Sequence, residues 1–220
     1  MKKIGAIIFL LAVLALVGCA SNEGKPSYNR IGKTTAEGSL ETRYTLVSAS
    51  EEAELIAVIQ VEQWLSEDPN QMCTFFQCTV KEVLGGELNA DSLVLLQTGY
   101  SELTIKGYPL FGVGNELLVF LKKAVQTPYD NAYYIIGENT TIFDLIEVGS
   151  KTYAIDRTGT FSEQMPDMVP PVKDNGINTK AVEEIKEKDD FWKTVSSEHY
   201  SAYAVYEYQT VKEFVMGVKK

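Results

Sequence analysis

The stretch that decides the fold is Leu55–Leu65, with the sequence LIAVIQVEQWL. Its first half is apolar and largely β-branched on both faces. Its second half alternates, with Val61 on one side and Glu62 and Trp64 on the other. β-branched residues and strict alternation favour a strand that is buried on one or both faces. The stretch therefore predicts a buried strand.

Further short strands are predicted on its C-terminal side, separated by turn-like residues such as Ser66–Gln71 (SEDPNQ). They are Thr74–Leu84, Leu93–Thr98, Glu116–Lys122, Ala132–Ile136, Ile142–Val148 and Lys151–Ile155. Many short strands without long helices between them indicate an antiparallel sandwich or barrel. The span Leu40–Asp156 is long enough for a closed barrel of five to six strands, which removes exposed sheet edges. The predicted fold class is mainly β, with residues 40–160 as a small antiparallel closed barrel.

Two flanking regions complete the predicted fold. On the N-terminal side, Leu40–Ser48 is a candidate opening strand, and the capping-box spacing of Ser48 and Glu51 predicts helical turns over Ala49–Glu54. On the C-terminal side, residues 161–178 have no periodicity and are predicted to be a linker or a strap on the barrel surface. Residues 179–220 are predicted to form a helix-containing appendage. Its elements are a helix over Thr179–Val195, a strand over Tyr203–Tyr208 and a helix over Thr210–Gly217.

The N-terminus has the pattern of a secretory signal. A basic head, Met1-Lys2-Lys3, precedes an uncharged, mostly apolar run that is shorter than a membrane-spanning helix. The run ends in Leu16-Val17-Gly18-Cys19, which resembles the lipobox of bacterial lipoprotein precursors at all four positions. The resemblance implies that residues 1–18 are a signal peptide, that Leu16, Val17 and Gly18 are recognised by the signal peptidase, and that Cys19 carries a diacylglyceryl group and acyl chains such as palmitate. The expected location is extracytoplasmic, on the outer leaflet of the cell membrane.

Charge excludes one class of partner. The 220 residues have a formal net charge of −10. Removing residues 1–18 takes two lysines and no acids, so 18 basic and 30 acidic residues remain and the charge becomes −12. This charge argues strongly against a nucleic-acid binder and predicts repulsion from anionic lipid, so the lipid on Cys19 must hold the protein at the membrane. Residues 19–39 contain almost no large apolar residue and are predicted to be a flexible tether.

Two cysteines remain after Cys19, and a disulfide between Cys73 and Cys78 is disfavoured by geometry. Five residues of strand place their Cα atoms about 16 Å apart and on opposite faces, whereas a disulfide needs about 4.4–6.8 Å. Only a bulge or turn near Cys73 would allow the bond. The favoured interpretation is two free thiols, with Cys78 on the inner face beside Phe76 and Val80. Two cysteines and one histidine do not suggest a zinc site, and the sequence predicts no metal and no cofactor.

Three blocks of sequence resemble a family of uncharacterised lipoproteins and secreted proteins of Gram-positive bacteria. They are Ala53–Val61 (AELIAVIQV), Val80–Gly86 (VKEVLGG) and Pro109–Lys122 (PLFGVGNELLVFLK), followed by Tyr133–Gly137 (YYIIG). These domains are regarded as similar to the N-terminal domain of the tissue inhibitors of metalloproteinases. The resemblance implies a netrin-like, OB-type five-stranded barrel over about residues 50–156. It does not imply protease inhibition, because those inhibitors chelate zinc through a free N-terminal cysteine, and Cys19 is expected to be acylated.

Two hypotheses about function follow. The first is a lipid-anchored binding module for a surface protein, a peptide or wall glycan, with an aromatic binding surface formed by Tyr200, Tyr203, Tyr206 and Tyr208. Burial of these rings against the barrel is the competing interpretation. The second is a hydrolase of envelope polymers that uses a carboxylate pair or the single histidine, His199. No Gly-x-Ser-x-Gly motif is present, and His199 lies in a Ser- and Glu-rich segment, so the sequence favours a protein that is not an enzyme.

Overall fold

The stretch LIAVIQVEQWL lies within one long strand, which spans Leu55–Asp68. The computed structural model of the chain describes residues 31–37, 44–158, 184–185, 187–188 and 204–219. The predicted signal peptide, the predicted lipobox with Cys19 and the predicted linker at 161–178 therefore lie outside the described residues.

The described elements are mostly strands. The strands are β1 (Thr34–Ala36), β2 (Leu55–Asp68), β3 (Cys73–Gly86), β4 (Ser92–Thr98), β5 (Leu103–Ile105), β6 (Glu116–Lys123), β7 (Ala132–Ile135), β8 (Ile142–Val148), β9 (Lys151–Asp156) and β10 (Ala204–Glu207). The helices are α1 (Leu46–Glu52), a 3-10 helix (Glu138–Thr141) and α2 (Tyr208–Val218). Residues 184–185 and 187–188 are also helical, within the span predicted to be a helix.

Five strands close into a barrel, which confirms the predicted fold class. The main sheet has the order β10-β9-β8-β6-β2-β3-β4-β7, and a further pairing of β6 with β7 joins its last strand back to its middle. The ring is therefore β2, β3, β4, β7 and β6. Its pairings are antiparallel except for β4 with β7, which run parallel. This is a five-stranded Greek-key barrel of the OB type.

Register shifts bend the two longest strands around the barrel. The ladder between β2 and β3 shifts at Ile56/Ala57, Val58/Ile59, Val61/Gln63 and Trp64/Ser66. Each shift opposes two residues on one strand to one on the other, which bends the strand and increases its twist. Two strands of 14 residues each can therefore curve enough to close a ring of only five.

The barrel interior is filled by alternate residues of its strands and by the connection from β5 to β6. Leu55, Ala57, Ile59 and Val61 of β2 point inward, and Ile56 and Val58 point outward. Tyr108, Leu110 and Phe111 enter the same interior cluster from the β5–β6 connection, and each is at most 1% exposed. This connection therefore closes the interior of the barrel.

The sheet divides at β6. Leu117–Val119 of β6 pair with β8, and Leu121–Lys123 pair with β7. The β7 branch closes the barrel, while the β8 branch continues into β9 and β10. Helices α1 and α2 cover the outer face of this junction through a second core cluster, which includes Leu46, Phe120, Phe143, Tyr206 and Val211.

A buried ion pair stands where the extension meets the connection that closes the barrel. The Arg157 guanidinium donates to both carboxylate oxygens of Asp144, at 2.5 and 2.7 Å. Its central carbon lies 5.2 Å from the ring centroid of Phe111. Bidentate geometry and the aromatic face compensate for removing this charge from water.

Three predicted boundaries are wrong. Leu46–Ser48, assigned to an opening strand, begin helix α1, because Thr45 is the N-cap. The Thr45 hydroxyl accepts from the Ser48 amide at 2.9 Å, so Ser48 is the third residue of the helix and not its cap. The predicted turn Ser66–Gln71 begins later, since β2 continues to Asp68. The predicted tether at 19–39 also contains strand β1, which pairs with β5.

Candidate functional site

A polar cleft lies where α2 begins, beside the turn between β8 and β9. It has a volume of about 230 Å³ and is lined by Ser150, Lys151, Thr152, Glu207, Tyr208 and Gln209. The first three residues come from the β8–β9 turn and the start of β9, and the others from the junction of β10 with α2. The two segments are neighbours because Glu207 pairs with Tyr153 in the antiparallel ladder of β9 and β10.

An ion pair crosses this cleft. The Lys151 ammonium donates to a Glu207 carboxylate oxygen at 2.6 Å, and about half of each side chain is exposed. The hydrogen bond to Glu207 raises the pKa of Lys151. Because solvent screens such a pair, its value for folding is small. Its chemical significance is that a cationic donor and an anionic acceptor are presented side by side.

Tyr208 carries the aromatic surface of the cleft. Its hydroxyl donates to a Glu82 carboxylate oxygen on β3 at 2.8 Å. Burial, and then the hydrogen bond to Glu82, raise the pKa of Tyr208 far above its ordinary value. The ring is half-buried, so one part of it packs against the sheet while the remainder faces solvent. The hydrogen bond holds the ring in a fixed orientation.

The Glu82 carboxylate has a second partner on α2. Burial alone would raise its pKa, but hydrogen bonds from Lys212 and Tyr208 outweigh burial and lower the pKa. Lys212 donates to the other carboxylate oxygen of Glu82. The first turns of α2 are therefore fixed to β3 through one carboxylate, which positions the side of the cleft that α2 provides.

A pair of carboxylates lies on the sheet next to this region. Burial raises the pKa of Glu116 on β6, and repulsion from Glu147 on β8 raises it further, while Lys81 acts in the opposite direction. Glu116 also contributes to the raised pKa of Tyr208. A carboxyl whose pKa is raised by burial and a neighbouring carboxylate occurs in glycosidase and protease sites, and also in structural clusters. Neither carboxylate is among the six residues that line the cleft.

A second polar cluster lies around Glu138, at the start of the 3-10 helix. Its carboxylate accepts from the Thr98 hydroxyl at 2.7 Å and faces the Tyr108 hydroxyl. Gln97, which is 1% exposed, accepts from the Phe111 amide and donates to the Pro109 carbonyl, both at 2.9 Å. Tyr108 is itself 1% exposed, so the side chains of Gln97 and Tyr108 are closed to a ligand, while Glu138 and Thr98 are partly exposed.

The four predicted tyrosines do not form one surface. Tyr208 lines the cleft, but Tyr206 is 0% exposed and packs edge-to-face on Phe143 with ring centroids 6.2 Å apart. Tyr206 therefore belongs to the core, because β10 is a strand and this position faces α1 and α2. Tyr200 and Tyr203 lie outside the described residues, as does His199.

Cys73 and Cys78 are free thiols, as the strand geometry predicts, and both are buried. Cys78 lies in the barrel interior with Phe76 and Val80, which the alternation also predicts. Cys73, the first residue of β3, packs in a separate cluster with Phe75 and Val94. Burial raises the pKa of each thiol, most strongly for Cys78. A thiol held in its protonated form is a poor nucleophile and a poor metal ligand.

Sequence reasoning identifies Tyr208 and misses the rest of the cleft. Lys151, Thr152, Glu207 and Gln209 are single polar residues at element ends, and no motif distinguishes them from other surface residues. The clearest available signal is that Tyr208 is the last residue of the predicted strand Tyr203–Tyr208 and precedes the predicted helix Thr210–Gly217, so that polar groups of that junction must lie beside its ring.

No match was found when the chain was compared with models of protein families, and a search of curated proteins also found no similar sequence. Within the described ranges, no group of three or more His, Cys, Asp and Glu side chains is arranged to hold a metal ion. The helices that the structure describes are all too short or too polar to cross a bilayer.

Proposed function

We propose that the chain is a lipid-anchored extracytoplasmic binding module, and that the cleft beside Tyr208 binds a polar polymer of the cell envelope. The observation that carries the proposal is the combination of an oriented tyrosine ring with adjacent Lys151 and Glu207 side chains. Aromatic faces stack on sugar rings and on peptide groups, while nearby charged groups fix their orientation. The cleft is small, so it fits one unit of such a polymer and not a large protein surface.

The anchoring part of the proposal is supported by the sequence. The lipobox at Leu16–Cys19 and the basic, apolar segment before it are the features of a lipoprotein precursor. The OB-type barrel agrees with the fold implied by the resemblance to Gram-positive lipoproteins. A charge of −12 on the mature chain gives no electrostatic attraction to anionic lipid, so anchoring depends on Cys19.

Anchoring is tested by partition between membrane and soluble fractions of cells that express the chain. The unchanged chain is expected in the membrane fraction, and the Cys19→Ala variant in the soluble fraction. A Ser21→Ala variant, changed two residues later, should behave as the unchanged chain. If the Cys19→Ala variant stays with the membrane, the lipid anchor is refuted while the cleft proposal is unaffected.

Ligand binding is tested by sedimenting the full chain with purified wall glycan. We expect Tyr208→Ala to reduce the bound fraction at least fivefold, since the ring is removed, and Lys151→Ala to reduce it less. Tyr134→Ala is the matched control, because Tyr134 is an exposed tyrosine on β7, outside the cleft. Equal binding by the Tyr208 and Tyr134 variants would exclude the cleft as the glycan site.

The carboxylate pair Glu116 and Glu147 supports a second candidate, a hydrolase of envelope polymers. The raised pKa of Glu116 is the property that a general acid requires. The same assay distinguishes the two functions, because hydrolysis releases soluble fragments and binding does not. Release that is abolished by Glu116→Gln would favour the hydrolase, and no release from the unchanged chain would exclude it.

A further inference from the structure

Strand β1 is bound to β5 through its main chain and buries none of its side chains. Thr34–Ala36 run parallel to Leu103–Ile105, and all three β1 residues are exposed. The Thr34 amide donates to the Glu102 carbonyl at 2.9 Å, and the Lys106 amide donates to the Ala36 carbonyl at 2.8 Å. With no apolar surface buried, the hydrophobic effect contributes little to holding this strand in place.

The contacts at the N-terminal end of this segment are specific. The Gly32 amide donates to the hydroxyl of Thr104 at 3.1 Å, and Thr104 is 1% exposed. A methyl group on Gly32 would lie 2.8 Å from the Thr104 nitrogen and 2.9 Å from backbone atoms of Leu103. The main chain of Leu103 and Thr104 therefore accepts glycine at this position and excludes residues with a side chain.

Two ion pairs, one at each end of β1, make the binding of this segment depend on the order of its charged residues. Lys33 pairs with Glu102 at 2.7 Å, and Glu37 pairs with Lys106 at 3.0 Å. Both pairs are exposed, so they contribute little energy. They do select the order of charges, because a segment with its lysine and glutamate exchanged would bring like charges together at both ends.

We propose that the edge of β5 is a strand-addition site for an extended peptide, which residues 32–37 of the same chain occupy until a partner replaces them. Peptides that add a strand to a sheet edge bind through the main chain, and a few side-chain positions give specificity. The partner has glycine at the first position, a basic residue at the second and an acidic residue at the sixth. This inference goes beyond the proposed function, because β5 and the cleft are different surfaces.

The inference is tested with a fluorescent peptide of residues 32–38, GKTTAEG, and the full chain in detergent. Thr34→Pro removes the amide that donates to Glu102, so it should release the resident strand. We expect the peptide to bind this variant at least about tenfold more tightly than the unchanged chain, since a tethered competitor acts at a concentration of order millimolar. Thr34→Ser keeps both the amide and the hydroxyl and should match the unchanged chain.

Two altered peptides test the specificity. AKTTAEG introduces the methyl group that the backbone of β5 excludes, and GETTAKG exchanges the charges, so both should bind the Thr34→Pro variant more weakly. Gly32→Ala is a second variant that should release the strand for a steric reason and give the same tighter peptide binding. Absence of peptide binding to both variants, or equal binding of GKTTAEG and AKTTAEG, would overturn the inference.

Discussion

Glu138 combines an unusual backbone conformation with a carboxylate that is largely removed from water. Its φ is 53°, in the left-handed region that non-glycine residues rarely adopt. Burial raises the pKa of its carboxyl, and the hydrogen bond from the Thr98 hydroxyl, with the nearby Tyr108 hydroxyl, only partly opposes this. Gly137 before it has a φ of 71°, so the chain turns sharply here to bring the carboxylate against the end of β4. Backbone strain of this kind persists only where surrounding contacts hold it.

The raised pKa of Glu138 gives a pH dependence of definite sign. As pH rises above about 4.3, the usual pKa of glutamate, the unfolded chain loses this proton before the folded chain does. The free energy of unfolding therefore falls with rising pH until the pH passes the raised pKa of Glu138. We expect Glu138→Gln to remove this fall while keeping a group of the same shape. Urea unfolding of the unchanged chain and of this variant, at several pH values between 4 and 8, measures the fall in the free energy of unfolding. An identical pH profile for the two would contradict the assignment.

Glu82 is the natural comparison, because its pKa is lowered and not raised. The ionised Glu82 carboxylate contributes to the free energy of unfolding above the usual pKa of glutamate, and this contribution is lost as pH falls through the lowered pKa. The Glu82→Gln variant should therefore differ from the unchanged chain most at neutral pH. The two substitutions together separate a carboxylate that burial disfavours from one that its partners stabilise.

At the scale of elements, helix α1 shows how a cap and a buried hydroxyl differ. The Thr45 hydroxyl accepts from the Ser48 amide, and the Ser48 hydroxyl accepts from the Thr45 amide, each at 2.9 Å. Ser50, in the same helix, is 0% exposed, and its hydroxyl has no hydrogen-bond partner. The Thr45 hydroxyl therefore pairs with an amide at the start of the helix, whereas the Ser50 hydroxyl is buried without a partner, which lowers the free energy of unfolding.

We expect Thr45→Ala to lower the free energy of unfolding by about 0.5–2 kcal/mol, because a cap is lost. We expect Ser50→Ala to leave it unchanged or to raise it by up to about 1 kcal/mol, because an unpaired polar group is removed and alanine favours the helix. Denaturant unfolding monitored by circular dichroism compares the two. A larger loss for Ser50→Ala than for Thr45→Ala would show that the Ser50 hydroxyl has a partner.

The strands were predictable where side chains alternate over several residues. β2, β3, β4, β6, β8 and β9 lie within a few residues of their predicted bounds, since one face of each is buried. β1 and β5 have three residues each, too few for a periodic signal, and β1 buries nothing. The start of α1 was misassigned because Thr45 and Ser48 both have side chains suited to capping, and only tertiary packing decides which residue takes the cap.

At the scale of the whole molecule, stability should be unevenly distributed. The barrel strands share a continuous interior and β1 shares none of it. We expect the amide hydrogens of Thr34 and Ala36 to exchange at least on the order of a hundredfold faster than those of Ile59 and Val119, because only a local opening is needed. Native-state hydrogen exchange read by mass spectrometry measures this. Equal protection of β1 and β2 would show that β1 opens only with the barrel.

The closed barrel was predictable from many short strands in one span, but the cleft was not. The cleft requires β10 to return from beyond residue 200 and pair with β9, and local sequence carries no signal for such a pairing. The same pairing buries Tyr206 and leaves Tyr208 at the surface. Two tyrosines that look equivalent in the sequence are therefore separated by the tertiary structure.

The division of the sheet at β6 has a mechanical consequence. The cleft is built on β9, β10 and α2, which reach the barrel through the ladder of β8 with Leu117–Val119 and through the hydrogen bonds of α2 to Glu82 on β3. A ligand fixed to the wall would pull on that branch, and a lipid in the bilayer would pull on the N-terminal end of the chain. The two loads would meet across β6, where the three residue pairs with β8 and the hydrogen bonds from Tyr208 and Lys212 to Glu82 would share the force.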